Sequence, residues 1–281
     1  MTHIINISSY KFTPLEKIAT LRVDLLKKAN DLGIKGTILL SHEGINVALA
    51  AERDALDAYI VFLTQYPQFS DMEFKESLSD FVPFSKMVIK LKKEIVTMGV
   101  DGVECPAVPE YALDPKELKQ WYDEGKKFTI LDTRNTYEFK IGSFENAKLM
   151  PLDNFRQFPE KMKAMSEEEK AEPIVMFCTG GVRCEKAMPF LREQGFKNIF
   201  QLHGGIIKYL EECGADHYEG ECFVFDDRIS LDAGLKVTGT QLCRGCQEPV
   251  TKAEQSECDF ENKHLCSNCC ASGDKRAQAN L

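Results

Sequence analysis

Cys178 and Arg183 are the residues whose types and spacing most directly suggest chemistry. They lie in the stretch Ile174, Val175, Met176, Phe177, Cys178, Thr179, Gly180, Gly181, Val182, Arg183, Cys184, Glu185. Four apolar residues after Pro173 read as a buried strand. Ala187, Phe190 and Leu191 then fall on one face of a helix. A strand that feeds a helix through a Gly-rich turn aims backbone N–H groups at one point, together with the positive end of the helix dipole. A thiol held there has a lowered pKa and exists as thiolate. Thr179, Gly180, Gly181 and Val182 form the loop. The two glycines let the backbone curl without side-chain clashes, and Arg183 adds a fixed positive charge. The plainer alternative is a small buried cysteine at a strand end, the common fate of a free thiol. It leaves the convergence of Gly-Gly and Arg on the same turn unexplained.

The elements that position this loop belong to an α/β domain. Asp114, Pro115 and Glu117 make a helix start, with a cap followed by proline. Phe128 to Leu131 reads as a strand ending at Asp132, Thr133 and Arg134. Strand ends of an open parallel sheet border the ligand crevice, so Asp132 and Arg134 are supporting site residues. A mutual ion pair that braces the loops is the favoured role for them. Gly142 to Met150 reads as a turn and short strand, and Phe155 to Met165 as a helix. Pro189 lies inside the helix after the loop and predicts a kink. Phe196 to Leu202 is a strand, and Gly204 and Gly205 lead into a helix from Ile206 to Glu211. This alternation predicts a parallel sheet over 113–215.

The segment before it, 1–95, reads as a separate α+β domain. Ile4, Ile5 and Ile7 mark a strand. Thr13, Pro14 and Glu16 predict a helix start, and Leu15, Ile18, Leu21, Leu25 and Ala29 its apolar face. Strands follow at Gly36 to Ser41 and Asn46 to Ala50, then a helix from Glu52 to Gln65 and a closing strand from Met87 to Leu91. The order β-α-β-β-α-β predicts a ferredoxin-like (acylphosphatase-like) sandwich. His42 and Glu43, in the turn between strands, read as polar hairpin residues rather than an acid–base pair. Val96 to Glu110, with Gly99, Gly102, Pro106 and Pro109, reads as part of a linker over 96–112. Cys105 within it is read as structural.

The 281-residue chain carries a net charge of −9. That argues against a non-specific nucleic-acid binder but leaves room for a local basic strip. Lys86, Lys90, Lys92 and Lys93 form one, and guarding a sheet edge is an equal reading. No apolar run approaches membrane-spanning length, and Met1 to Tyr10 shows no secretory pattern. Six of the eleven cysteines lie between Cys243 and Cys270. In a reducing cytoplasm, the expected location, such clustering points to metal or redox chemistry rather than disulfides. Cys243-x2-Cys246 and Cys266-x2-Cys269, separated by nineteen residues, match a zinc ribbon-like site. Cys258, His264 and Cys270 are extra candidates, and free thiols or an oxidative disulfide are the alternatives. The region 216–281 is thus a Cys-rich segment, with a tail from Ser272 expected to be disordered.

Four residues separate Cys178 from Arg183. The ring of tyrosine and dual-specificity phosphatases is one residue wider, and Phe177 stands where they carry a His. The smaller ring resembles that of rhodanese domains, which hold a cysteine persulfide. Asp132-Thr133-Arg134, Gly142 with Asn146 and Ala147, and Leu202 to Gly205 extend that likeness. Three longer strings are more specific: Ser41-His42-Glu43-Gly44-Ile45-Asn46, the run Cys178 to Lys186, and Gly220-Glu221-Cys222-Phe223-Val224-Phe225-Asp226-Asp227-Arg228. Together they resemble the bacterial tRNA uridine hydroxylases, over nearly the whole chain. The resemblance implies oxygen-dependent 5-hydroxylation of the wobble uridine in the tRNA anticodon loop, with Cys178 as active-site cysteine. Molecular oxygen would be the co-substrate.

A sulfurtransferase carrying a Cys178 persulfide is the alternative function. No flavin, nicotinamide or haem site is evident: no Gly-x-Gly-x-x-Gly turn follows a strand. His3, His42, His203, His217 and His264 are scattered, without paired metal spacing.

Overall fold

The computed structural model describes residues 3–106, 111–256 and 260–272. Pro109, Glu110, Cys258 and the tail 273–281 lie outside the described residues. Ser272 itself closes a short helix, Ser267–Ser272.

The first half builds one mixed sheet: β1 (Ile4–Phe12), α1 (Ile18–Asp31), β2 (Lys35–Ser41), β3 (Gly44–Ala51), α2 (Arg53–Thr64), β4 (Lys75–Ser79) and β5 (Met87–Leu91). The strand order is β4-β1-β3-β2-β5. The ferredoxin-like sandwich is present, but its fourth strand is β4, antiparallel to β1. Met87–Leu91, expected to close the set, instead adds a fifth strand parallel to β2 at the opposite edge. Alternation along β1 and β3 sends Ile5, Ile7, Ile45, Val47 and Leu49 into a core with Leu25, Leu56, Tyr59 and Leu63 of the helices. Helix α1 begins at Ile18 rather than near Thr13. The amides of Thr13 and Leu15 donate to Glu43 and His42 carbonyls (2.9 and 3.0 Å), so this stretch is tied to the β2–β3 turn instead of winding into the helix.

The second half holds β6 (Ala112–Leu113), α3 (Pro115–Asp123), β7 (Thr129–Asp132), α4 (Thr136–Phe139), β8 (Gly142–Phe144) and β9 (Lys148–Leu149). It continues with α5 (Phe158–Lys163), α6 (Glu167–Ala171), β10 (Ile174–Phe177), α7 (Val182–Glu193), β11 (Ile199–Leu202) and α8 (Gly205–Cys213). Its sheet runs β6-β11-β10-β7-β9, all parallel. Asp114 caps α3 by accepting from the Lys116 amide at 2.9 Å, an interaction of about 1 kcal/mol. Strand β10 is central and buried at every residue, as a strand covered on both faces must be. Apolar clusters lie on both sides of the sheet, one around Met176, Leu191 and Phe196 and the other around Phe177, Tyr209 and Leu210. Met98, in the segment read as a linker, is buried in the first of these, with Val96, Val100 and Val103 packed against it.

Pro189 does not end α7, which runs to Glu193. A proline leaves the carbonyl four residues earlier without its helical donor. Here that is Glu185, and the Cys105 thiol donates to its oxygen at 3.8 Å. No helix among the described residues is long and apolar enough to cross a membrane.

Candidate active site

Cys178 sits where β10 gives way to the turn into α7, with only 1% of its surface exposed. The turn closes back on the sulfur. The Gly181 amide donates to Cys178 Sγ at 3.1 Å, and the Arg183 and Cys184 amides also point at it. Gly181 caps the helix with φ +100°, a conformation that favours glycine. A second glycine turn clamps the loop from behind. Ile206 and Ile207, in the first turn of α8, donate to the carbonyls of Cys178 and Thr179 (3.0 and 3.1 Å). A Cβ on Gly205 would lie 2.4 Å from the Cys178 oxygen, so only glycine allows this approach.

Burial alone would push the Cys178 thiol up; the Cys184 thiol beside it, the Arg183 charge and the loop amides outweigh burial and bring it well below the ordinary thiol range. Burial, and then the neighbouring Cys178 sulfur, push Cys184 the other way, so it stays protonated. Its sulfur also lies 3.6 Å from the Thr133 hydroxyl, which donates to the Phe177 carbonyl at 2.8 Å.

Arg183 does not offer its side-chain fork to the sulfur. Its two terminal nitrogens each lie 2.6 Å from a Glu138 oxygen, and both residues are buried. Glu138 further accepts from the Asn135 amide (3.0 Å) and the Thr179 hydroxyl (3.4 Å). Arg183 therefore contributes its backbone amide and its charge, while Glu138 fixes its orientation.

Asp132 and Arg134 pair with one another at 2.6 Å, fully buried. Arg134 also donates to the Gly142 carbonyl (2.7 Å), and Ser143 donates to Asp132 (2.9 Å). The pair ties the end of β7 to β8. His42 and Glu43 do not pair with each other. His42 Nδ1 lies 2.7 Å from the Leu15 carbonyl. Glu43 accepts from the Ile95 amide at 2.8 Å and from Lys186 across the domain boundary.

Residues 4–95 match the UPF0176 acylphosphatase like domain and residues 114–212 the Rhodanese-like domain. A tRNA uridine(34) hydroxylase of Cupriavidus pinatubonensis is 41% identical over 98% of this chain and 99% of its own. One from Ralstonia nicotianae is 41% identical over 95% of this chain and 96% of its own. The chain belongs to the tRNA uridine(34) hydroxylase family. Among solved structures, a rhodanese-like domain from Anabaena is 26% identical, covers 40% of this chain and 80% of its own, and has a TM-score of 0.33.

In this member of the tRNA uridine(34) hydroxylase family the four spaced C-terminal cysteines also come together. The sulfurs of Cys243, Cys246, Cys266 and Cys269 all lie within 4.8 Å of one another. Cys246 and Cys266 are 3.8 Å apart, too far for a disulfide and close to the roughly 3.8 Å edge of a tetrahedron with Zn–S bonds of about 2.3 Å. The Cys266 amide donates to Cys243 Sγ at 3.2 Å. A Cβ on Gly245 would meet Cys269 Sγ at 2.9 Å, so the Cys243-x2-Cys246 turn needs its glycine. His264 and Cys270 stand outside this group.

Sequence reasoning did not single out Glu138, Tyr10, Lys75 or the role of Gly205. The repeated strand-Gly-Gly-helix pattern at Leu202 to Gly205 was the available signal for Gly205. A lone acid in the apolar run Thr136–Phe139 was the signal for Glu138.

Proposed function

We propose that this chain hydroxylates C5 of uridine 34 of tRNA in the cytoplasm, with Cys178 as nucleophile and molecular oxygen as co-substrate. The observation that carries the reading is the Cys178 thiol held low in its pKa within a cradle of amides, in a chain whose relatives share that name along their whole length. Uracil is electrophilic at C6 and unreactive toward oxygen at C5. A thiolate that adds to C6 makes an enolate with electron density at C5. One oxygen atom then goes to C5 and the other leaves as water, with two electrons supplied by a thiol reductant. Loss of the C5 proton and of Cys178 restores the ring. The target base must leave its stack, which is easier in an anticodon loop than in a duplex. Cys178 is covered, so the base reaches it only when neighbouring side chains move.

Cells lacking the protein should lose 5-hydroxyuridine at position 34 by nucleoside mass spectrometry and regain it on complementation. Loss of a thiolated nucleoside with intact 5-hydroxyuridine would establish the sulfurtransferase instead. The relatives' shared name does not favour that reading.

The four-cysteine group fits a structural zinc ion, and we propose that it holds one. All-sulfur donors and closed tetrahedral spacing leave no open position, so the ion would fold the segment rather than take part in catalysis. Protein from zinc-sufficient cells should carry about one zinc per chain. A chelator should expose Cys243, now fully buried, to thiol reagents. Zinc-free protein in which Cys243 stays protected from thiol reagents would show that the group folds without metal.

A further inference from the structure

Tyr10, Lys75 and Glu185, ionisable side chains around the Gly181 turn, are unused in the reaction as written. Two of them come from the other domain. In β1, Ile5 and Ile7 face that domain's helices, so Asn6, Ser8 and Tyr10 face the opposite way. Ser8 pairs with Lys75 of β4, which places Lys75 on the same face. The rhodanese loop packs against this corner of the sheet. The Tyr10 hydroxyl donates to Glu185 Oε2 at 2.8 Å. It also lies 2.8 Å from where a Gly181 Cβ would stand, over the residue whose amide holds the sulfur.

Lys75 is half-buried, and its ammonium lies 5.3 Å from the centre of the Tyr10 ring. Among the described residues its Nζ has no carboxylate within ion-pair distance and no hydrogen-bond acceptor. The nearby acids are engaged elsewhere. Glu73 meets His203 at 3.2 Å and Lys208 at 3.7 Å, and Glu185 takes the Tyr10 hydroxyl. Burial pushes the Lys75 pKa down, and Cys178 is the foremost of the charges that oppose this. A cation drawn partly out of water without a partner is unfavourable. Lys75 occupies such a place over the Tyr10 ring, whose hydroxyl stands at the Gly181 turn that holds the Cys178 sulfur. Arg183 cannot serve as the free cation, because Glu138 takes both ends of its fork.

We propose that the N-terminal domain completes the active site: Lys75 is the cation that meets O4 of the uracil as Cys178 adds to C6. This rests on the uridine reading above. In that step the sulfur pair forms the S–C6 bond. The C5=C6 pair shifts to C4–C5, and the C4=O4 pair moves onto O4. The charge passes from sulfur to O4, and no electrons enter or leave. One ammonium, held over the Tyr10 ring, then serves the charge at both ends of the step. Tyr10 and Glu185 are positioning residues that hold the Lys75 stem and the Gly181 turn together.

The test uses tRNA carrying 5-fluorouridine at position 34, which traps the C6 adduct, and follows its formation at saturating tRNA. Lys75→Met should slow trapping about 10²-fold, as loss of one oxyanion donor does, with tRNA affinity little changed. Lys75→Arg, which keeps the charge, should recover most of the rate. Trapping by Lys75→Met at the wild-type rate overturns the proposal while leaving the uridine reading in place. So does equal loss in the Met and Arg variants, or a defect that saturating tRNA removes. Absence of any adduct with the wild-type protein overturns the addition of a Cys178 thiolate to C6, and this proposal with it, whereas the uridine reading itself falls only if 5-hydroxyuridine is unchanged in cells lacking the protein.

Discussion

Replacing Cys178 with Ala should reduce tRNA hydroxylation by more than about 10³-fold while leaving the fold and tRNA binding in place. The side chain is small and sits at a strand end, so its loss removes a sulfur and little packing. The amides that cradle it remain anchored by α8. Cys178→Ser should be equally inactive, because a hydroxyl in the same cradle stays protonated. The pH dependence follows from the lowered thiol. Its folded pKa lies below the ordinary value of about 8.5. The thiolate, and the stability it contributes, are therefore fully present above that ordinary value. The stability then falls away progressively as pH drops from there toward the lowered folded pKa, whereas the thiolate itself persists through neutral pH and is lost as pH falls through that folded pKa. Activity should accordingly hold at neutral pH and decline in acid. The difference in ultraviolet thiolate absorbance between wild type and Cys178→Ser should titrate over the same range. Hydroxylation that persists in Cys178→Ala would falsify the assignment. Inactivity of the variant combined with no fluorouridine adduct in the wild type would point to a persulfide or sulfenate on Cys178.

The difference between what was legible in the sequence and what was not is one of contact range. The Cys178 loop reads directly because strand, glycine turn, arginine and helix are consecutive. The Cys243, Cys246, Cys266 and Cys269 group reads because metal chemistry imposes spacing within each pair. Glu138 meets Arg183 across 45 residues and Tyr10 meets Glu185 across 175, so no local pattern announces either contact. Strand β4 was missed for a different reason. Lys75-Glu76-Ser77-Leu78-Ser79 has no apolar alternation, because this edge strand carries its meaning in its pairing with β1. Lys75, which has no carboxylate partner among the described residues, was unreadable without that register. The helix start expected at Thr13 failed in the opposite sense. The capping residues were there, but the β2–β3 turn claimed their amides first.

Glu138→Gln should destabilise the rhodanese domain by roughly 3–5 kcal/mol, because it leaves the buried Arg183 charge without its counterion. The cost comes from the uncompensated cation more than from lost attraction. A double variant, Glu138→Gln with Arg183→Met, should therefore recover much of the stability, since an apolar chain replaces the stranded charge. Trp121 is the single tryptophan and is buried in the same domain, so its fluorescence reports this unfolding directly. The acid side gives a second check. Burial raises the Glu138 pKa, but the Arg183 charge and hydrogen bonds outweigh it and hold the carboxyl below its usual value. The pair's contribution is thus complete above about pH 4.3, the unfolded value, and is lost as pH falls through the folded one. Wild type and Glu138→Gln should differ by a constant amount from neutral pH down to weak acid, then converge. Stability would return in the double variant, but activity would not. Without Arg183 the loop keeps its amides and loses its fixed charge, and the Cys178 thiol should move back up. A double variant no more stable than Glu138→Gln would mean that Glu138 acts through Asn135 and Thr179 rather than by neutralising Arg183.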